Sequence, residues 1–225
     1  MSYEIILLDS DRTLFDFDKG EKKSLFKTFK SFKLKPNDNL HTDFVTLNNH
    51  FWLLHEKGDI DKDELVIKRF EKLFEKYSLN INPELFNEIY ADNLSKSTQL
   101  IPHAKRLLKK LKKLGKKVYI VTNGTKRVQD SRFNLSGLRK YFSGVFISEE
   151  TGFAKPDARF FEYCFNRIEN FSKEKTLMVG DSESADILGA INSGLKSCLF
   201  DRTGKKQTRA DYVVCDLLEL IKIIN

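Results

Sequence analysis

Cysteine is scarce in this chain. Cys164, Cys198 and Cys215 are the three it has, and no two stand in a CxxC spacing. They read as small buried hydrophobes in a reducing compartment, so a cytoplasmic location is expected. Long apolar runs are missing as well: none approaches the roughly 18–20 residues of a membrane span, and no membrane partner is expected. The opening MSYEIILLDSD sets an acid before a short apolar stretch, without a basic n-region or a small-residue cleavage site, and predicts no signal peptide. Repeats and low-complexity tracts are absent. So is any nucleic-acid-binding motif, although the formal net charge is +7. The lysines surround helical stretches such as HAKRLLKKLKKLGKK (103–117), where Leu107, Leu108, Leu111 and Leu114 form one apolar face. They are the solvated remainder of such helices, so no nucleic-acid polymer is expected, while small anionic substrates would be attracted.

What is present is an ordinary globular balance: 225 residues, 40% hydrophobic and 32% charged, enough for one or two domains with a real core. Short apolar runs ending in a polar residue recur at 3–9, 117–123, 144–148, 176–181, 197–201 and 212–216. Near-continuous apolarity at this length suits strands buried on both faces. Helix-length segments fall between them at 102–115, 125–136, 156–168, 184–193 and 216–224. This alternation predicts an α/β fold with a doubly wound parallel sheet. Residues 17–95 break the rhythm, with helical patterns at 19–33, 39–57, 61–78 and 83–95 and no convincing strand. A crossover needs only a dozen or so residues. The block therefore reads as an inserted all-helical subdomain, giving an expected division into a core of residues 1–16 and 97–225 and a helical cap of 17–96.

Ligands of open α/β sheets bind beyond the carboxyl ends of the strands, so the polar residues that end each strand should converge. Strand one delivers Asp9 and Asp11, the next Thr122 and Asn123 followed by Gly124. TGFAKPD supplies Lys155, and VGDSESAD supplies Asp181 and Asp186. Crowded carboxylates repel unless a cation joins them, and hard oxygen ligands favour Mg²⁺.

Asp-x-Asp-x-Thr, a strand-terminal Thr, Lys before Pro and Gly-Asp-x-x-x-x-Asp, in that order, resemble the four motifs of the haloacid dehalogenase superfamily. The likeness spans essentially the whole chain, including the position of a helical cap on a Rossmann-like core. It implies that Asp9 is a nucleophile toward phosphorus and that Asp11 protonates the leaving oxygen and then activates water. It implies Mg²⁺ held by carboxylates of Asp9 and Asp181 and the backbone carbonyl of Asp11, with Asp186 in support. Thr122 and nearby amides, including those of Asn123 and Gly124, would bind phosphoryl oxygens, and Lys155 would hold Asp9 and phosphate together. A free aspartic acid titrates near ~3.9, so a carboxylate close to Asp11 is expected to raise it for acid work. Three positions depart from the common pattern: Ser10 stands where an apolar residue is usual, Arg12 where Gly or Asp is frequent, and Glu183 adds an acid to the last motif.

In the cap, Leu47, Phe51 and Leu54 form a packing face, while Asn48, Trp52 and His55 share the same spacing one position round. These three are candidate contacts for a base or sugar, with cap packing as the other reading. NHFWLLHEKGDIDKDELVIKRFEKLFE resembles the cap of the pyrimidine 5′-nucleotidases that hydrolyse noncanonical nucleotides, which implies nucleoside monophosphate substrates. Other readings are a phosphatase for a sugar phosphate, a haloacid dehalogenase (which has no use for Asp11), a phosphonatase, a phosphomutase, and a receiver-like signalling domain. The expected state is a monomer or homodimer.

Overall fold

The computed structural model describes residues 2–204 and 207–225. By contacts the chain divides into two compact units, one of residues 1–17 and 98–225 and one of residues 18–97.

In the first unit, the described residues form one parallel sheet of β1 (Ile5–Leu8), β2 (Lys117–Thr122), β3 (Gly144–Ile147), β4 (Thr176–Gly180), β5 (Lys196–Phe200) and β6 (Tyr212–Val214). Its order is β3-β2-β1-β4-β5-β6. Leu8 is in register with Ile120 on one side and Val179 on the other, so β1 is central. The chain runs outward from β1 through β2 to β3, then returns to β1's other side as β4. This order reversal is the switch point at which open α/β sheets leave a crevice.

Alternation along the strands explains why they read as apolar throughout. Ile6, Leu8, Val118, Ile120, Leu177 and Val179 pack on one face with Leu107, Leu108 and Leu111. Ile5, Leu7, Tyr119, Val121 and Met178 pack on the other with Phe160, Phe161 and Cys164. Two covered faces leave no strand position to water, and a period-two pattern has nothing to alternate with.

Four helices of the second unit, α1 (Phe17–Ser31), α2 (Asp38–Lys57), α3 (Lys62–Tyr77) and α4 (Pro83–Ser95), match the helical patterns read from the sequence. Asn37 and Asn82 cap α2 and α4 by accepting from Leu40 N and Leu85 N, at 2.9 and 2.6 Å. Phe29, Phe44, Phe70, Phe86 and Tyr90 make an aromatic core, with ring centroids as close as 4.7 Å for Phe29–Phe86. The guanidinium of Arg69 lies within that core, 4.9 Å from the Phe70 ring centroid and 5.2 Å from Tyr90.

The remaining helices of the first unit are α5 (Ala104–Lys113), α6 (Lys126–Leu135), α7 (Ser148–Thr151), α8 (Ala158–Phe165), α9 (Leu188–Asn192) and α10 (Leu220–Ile224). Two expected helices differ. The stretch 184–193 begins as a π-helical turn over Glu183–Ile187 before α9. The wider turn swings Asp186 back so that its carboxylate accepts from Ser182 N at 3.0 Å. The stretch 216–224 opens with a 3₁₀ turn, Leu217–Glu219, under a capping box between Asp216 and Glu219. The short α7 was not read from the sequence at all, being a single turn.

Candidate active site

Asp9 stands directly beyond β1 and continues its ladder, donating its N–H to Val179 O at 2.9 Å. The chain then folds back: Leu14 and Phe15 both give N–H bonds to Ser10 O, at 2.9 and 3.0 Å. Thr13 Oγ1 donates to Asp9 Oδ2 at 3.3 Å, so Thr13 supports the carboxylate from within the loop. Arg12 has φ of 61°, the left-handed region that glycine, asparagine and aspartate enter most easily. That is the physical reason for Gly or Asp at this place, and arginine there carries on the order of 1 kcal/mol of backbone strain.

Lys155 is the hub. Its Nζ donates to Asp9 Oδ1 at 2.8 Å, Asp186 Oδ1 at 2.7 Å and Val121 O at 2.8 Å, which uses all three of its hydrogens. The lysine is 2% exposed. Burial alone would pull its pKa down, but Asp186 and Asp9 outweigh it and the ammonium is held charged. Asn123 brackets the same residue through its backbone: Oδ1 accepts from Lys155 N at 2.9 Å and Nδ2 donates to Lys155 O at 2.8 Å. Its side chain is therefore spent on fixing the lysine. Gly124, expected to offer an amide to phosphate, gives its N–H to Thr122 Oγ1 at 3.0 Å. The hydroxyl hydrogen of Thr122 is not used in that bond.

Asp9, Asp181 and Asp186 each offer a carboxylate oxygen within 4.8 Å of the others, the group of this kind found among the described residues. Burial pushes the Asp9 carboxyl well up, Lys155 pulls it back, and Asp186 and Asp181 push it further up. One ammonium against three carboxylates leaves an excess of negative charge that a divalent cation would neutralise. The donors are hard oxygens only, with room in their number for water, which suits Mg²⁺ better than a soft metal. Asp186 is pinned by space as well: a Cβ on Gly180 would lie 2.1 Å from Asp186 Oδ2. Gly180→Ala is therefore expected to displace that carboxylate and weaken Mg²⁺ binding at least about tenfold, as measured by calorimetric titration.

Asp11 does not contribute its carboxylate to this group. Its side chain turns to α6, where Arg132 Nη1 donates to Oδ1 at 2.5 Å and Gln129 Nε2 to Oδ2 at 2.7 Å. The carboxylate neighbour expected beside Asp11 is thus replaced by a guanidinium and an amide. Ser10, the first departure from the common pattern, donates its hydroxyl to Gln129 Oε1 at 2.7 Å. Glu183, the third, lies outside the carboxylate group: it accepts from Thr208 Oγ1 at 2.7 Å and from Arg209 N and Nε at 3.2 and 3.1 Å. Partial burial works against its ionisation, but these bonds prevail and its pKa falls.

Sequence reading missed Gln129 and Arg132. Among the residues α6 buries are Val128, Gln129, Arg132 and Phe133, a single face in which two of four positions are polar. Polar residues at core positions of an amphipathic helix were the available signal.

In the helical unit, Asn48 is 3% exposed and accepts from Arg69 Nη1 at 2.7 Å. Trp52 packs against Phe51, Ile60 and Leu65, and His55 Nδ1 donates to Ile60 O at 3.0 Å. All three make packing or bonding contacts within this unit. Asn48→Ala leaves a buried guanidinium donor unmatched and is expected to cost about 1–3 kcal/mol in urea unfolding. A change in KM with stability intact would instead mark Asn48 as a ligand contact.

A six-stranded parallel sheet with acids and a lysine converging at its switch point defines a Rossmann-like hydrolase core. The model of the haloacid dehalogenase-like hydrolase family matches residues 6–200, and this chain belongs to that family. It is 35% identical to pyrimidine 5′-nucleotidase PynA of Streptococcus pneumoniae, over 98% of this chain and 96% of that one. Pyrimidine 5′-nucleotidase YjjG of Escherichia coli is 32% identical over 100% and 99% of the two chains. The crystal structure of the HAD-hydrolase YfnB of Bacillus subtilis, bound to magnesium, superposes with a TM-score of 0.96 at 34% identity, covering all of both chains. Among the described residues no helix is long and apolar enough to cross a membrane.

Proposed function

We propose that this hydrolase is a Mg²⁺-dependent phosphomonoesterase that works through an aspartyl-phosphate on Asp9, and that its substrates are pyrimidine nucleoside 5′-monophosphates. The observation that carries the reading is the buried Lys155 Nζ bonded to both Asp9 and Asp186, beside Asp181, at the switch point of the sheet. The substrate class rests on the full-length similarity to two pyrimidine 5′-nucleotidases.

A phosphoryl group spreads negative charge over three oxygens, so catalysis is chiefly positioning and neutralisation. Asp9, Asp181, Asp186 and the backbone carbonyl of Asp11 would hold Mg²⁺, which when bound supplies positive charge to the phosphoryl oxygens. Lys155 keeps Asp9 oriented and lessens the repulsion between a carboxylate and an anion. Asp9 forms a bond to phosphorus as the bond to the ester oxygen breaks, and Asp11 gives that oxygen a proton. Asp11 then takes a proton from the water that attacks the aspartyl-phosphate, which releases phosphate and restores Asp9. The Thr122 hydroxyl hydrogen is available to a phosphoryl oxygen. Trp52 and His55 are the cap candidates for the base.

The test is phosphate release from UMP, dTMP, a sugar phosphate and p-nitrophenyl phosphate, with Mg²⁺ or EDTA. UMP or dTMP is expected to turn over fastest, and EDTA to reduce release at least about 100-fold. Folded protein that releases phosphate from none of them would overturn the reading. Preference for the sugar phosphate would overturn only the nucleotidase part.

A further inference from the structure

Asp11 has a task that tolerates little angular freedom, and the structure surrounds it with three residues that no motif accounts for. Gln129 and Arg132 lie on one face of α6, three residues apart, and are 0% and 1% exposed. Burying an amide and a guanidinium is unfavourable unless each is bonded, and apolar residues of similar volume would pack a helix face at less cost. Their polar ends both meet Asp11, one donor on each carboxylate oxygen, at 2.7 and 2.5 Å. Two donors on two oxygens fix the plane of the carboxylate as well as its position. Each oxygen keeps a further lone pair, and the side chain remains 25% exposed.

The orientation of the amide is set from behind. Ser10 has no exposure and donates its hydroxyl to Gln129 Oε1 at 2.7 Å, so the NH₂ end must be the one that faces Asp11. The reverse orientation would set an amide oxygen against a carboxylate. Gly124 leaves the space this needs: a Cβ there would lie 2.2 Å from Gln129 Nε2. Arg132 is steadied separately, its guanidinium 4.0 Å from the Phe15 ring centroid, with the plane of charge over the aromatic face.

The geometry points to Ser10, Gln129 and Arg132 as positioning residues that hold the Asp11 carboxylate for proton transfer in this chain. The inference rests on the proposed role of Asp11. It also accounts for Ser10: a serine is needed there to orient Gln129, which an apolar residue cannot do.

A merely structural role and a positioning role differ in which substrate suffers. The ribose oxygen leaving UMP needs a proton, whereas p-nitrophenolate leaves without one. The quantity to measure is kcat/KM, which reports the first phosphoryl transfer, for both substrates with Mg²⁺ in wild type, Gln129→Ala, Ser10→Ala, Arg132→Lys and Arg132→Met. Gln129→Ala is expected to lower kcat/KM for UMP about 10- to 100-fold and for p-nitrophenyl phosphate by no more than about threefold. Ser10→Ala should shift the ratio in the same direction by about three- to tenfold. Arg132→Lys should retain more UMP turnover than Arg132→Met. If Gln129→Ala or Arg132→Met fails to fold, Ser10→Ala, which removes a single oxygen, carries the test. Equal losses on the two substrates, or no loss in any folded variant, would overturn the inference while the phosphatase reading stands. A wild type that releases phosphate from neither substrate would overturn that reading and this inference with it.

Discussion

Asp9→Asn is expected to lower phosphate release at least about 10⁴-fold, the scale on which an enzyme loses turnover with its nucleophile. An amide has no anionic oxygen to bond to phosphorus, so the aspartyl-phosphate cannot form. The protein itself should survive the change. Asparagine is isosteric, and its Oδ1 can still accept from Lys155 Nζ, the contact now made at 2.8 Å. The sign of the stability effect follows from the direction in which the Asp9 pKa is displaced. It lies above its ordinary value through burial first, with Asp186 and Asp181 adding to the push against Lys155. A carboxyl raised on folding opposes the folded state once the pH exceeds its unfolded value. Its neutral analogue therefore gives a melting temperature equal to or above wild type at neutral pH without Mg²⁺. Thermal melts beside phosphate-release assays check both halves. Activity within tenfold of wild type would remove Asp9 as the nucleophile.

Asp9 and Asp181 were legible from the apolar runs before them, whereas Asp11, Lys155 and Asp186 were legible from their places in the ordered motifs. Asp9 and Asp181 end runs directly, and a parallel sheet forces its strand ends to one edge. The doubly wound sheet was legible for the same reason, since strands covered on both faces advertise themselves by lacking polar residues. What escaped depends on contacts far apart in sequence. Asn123 at the end of β2 looks the same whether its amide faces a ligand or the backbone of Lys155, 32 residues on. Glu183 reads as a spare acid of the last motif until Thr208 and Arg209 are seen to hold it. Gln129 and Arg132 escaped because burial of polar groups is decided by a partner, here Asp11, 118 and 121 residues away. The π-helical turn at Glu183–Ile187 leaves the apolar spacing almost unchanged, so periodicity could not reveal it.

Lys155→Met should separate the architecture of the site from its chemistry. Methionine fills much the same volume, but Asp9 and Asp186 lose the ammonium that each contacts, and Asp186 is only 1% exposed. Removing one partner of a buried ion pair leaves the other charge uncompensated, at a cost of about 3–5 kcal/mol. Without Mg²⁺ the variant is therefore expected to melt well below wild type. If Asp9, Asp181 and Asp186 hold Mg²⁺ as proposed, the ion binds the folded chain and not the unfolded one, and it restores stability by mass action. It should do so more in the variant than in wild type, because the charge it neutralises there is greater by one. Turnover will not return to the same extent, since the approach of the Asp9 carboxylate to an anion still lacks the lysine. Melting curves across a Mg²⁺ titration, read beside phosphate release, test the two statements separately. If Mg²⁺ stabilises the variant no more than wild type, Asp9, Asp181 and Asp186 are not the ion's ligands. If Mg²⁺ restores full turnover, the lysine is a structural counter-ion and takes no part in neutralising the phosphoryl group.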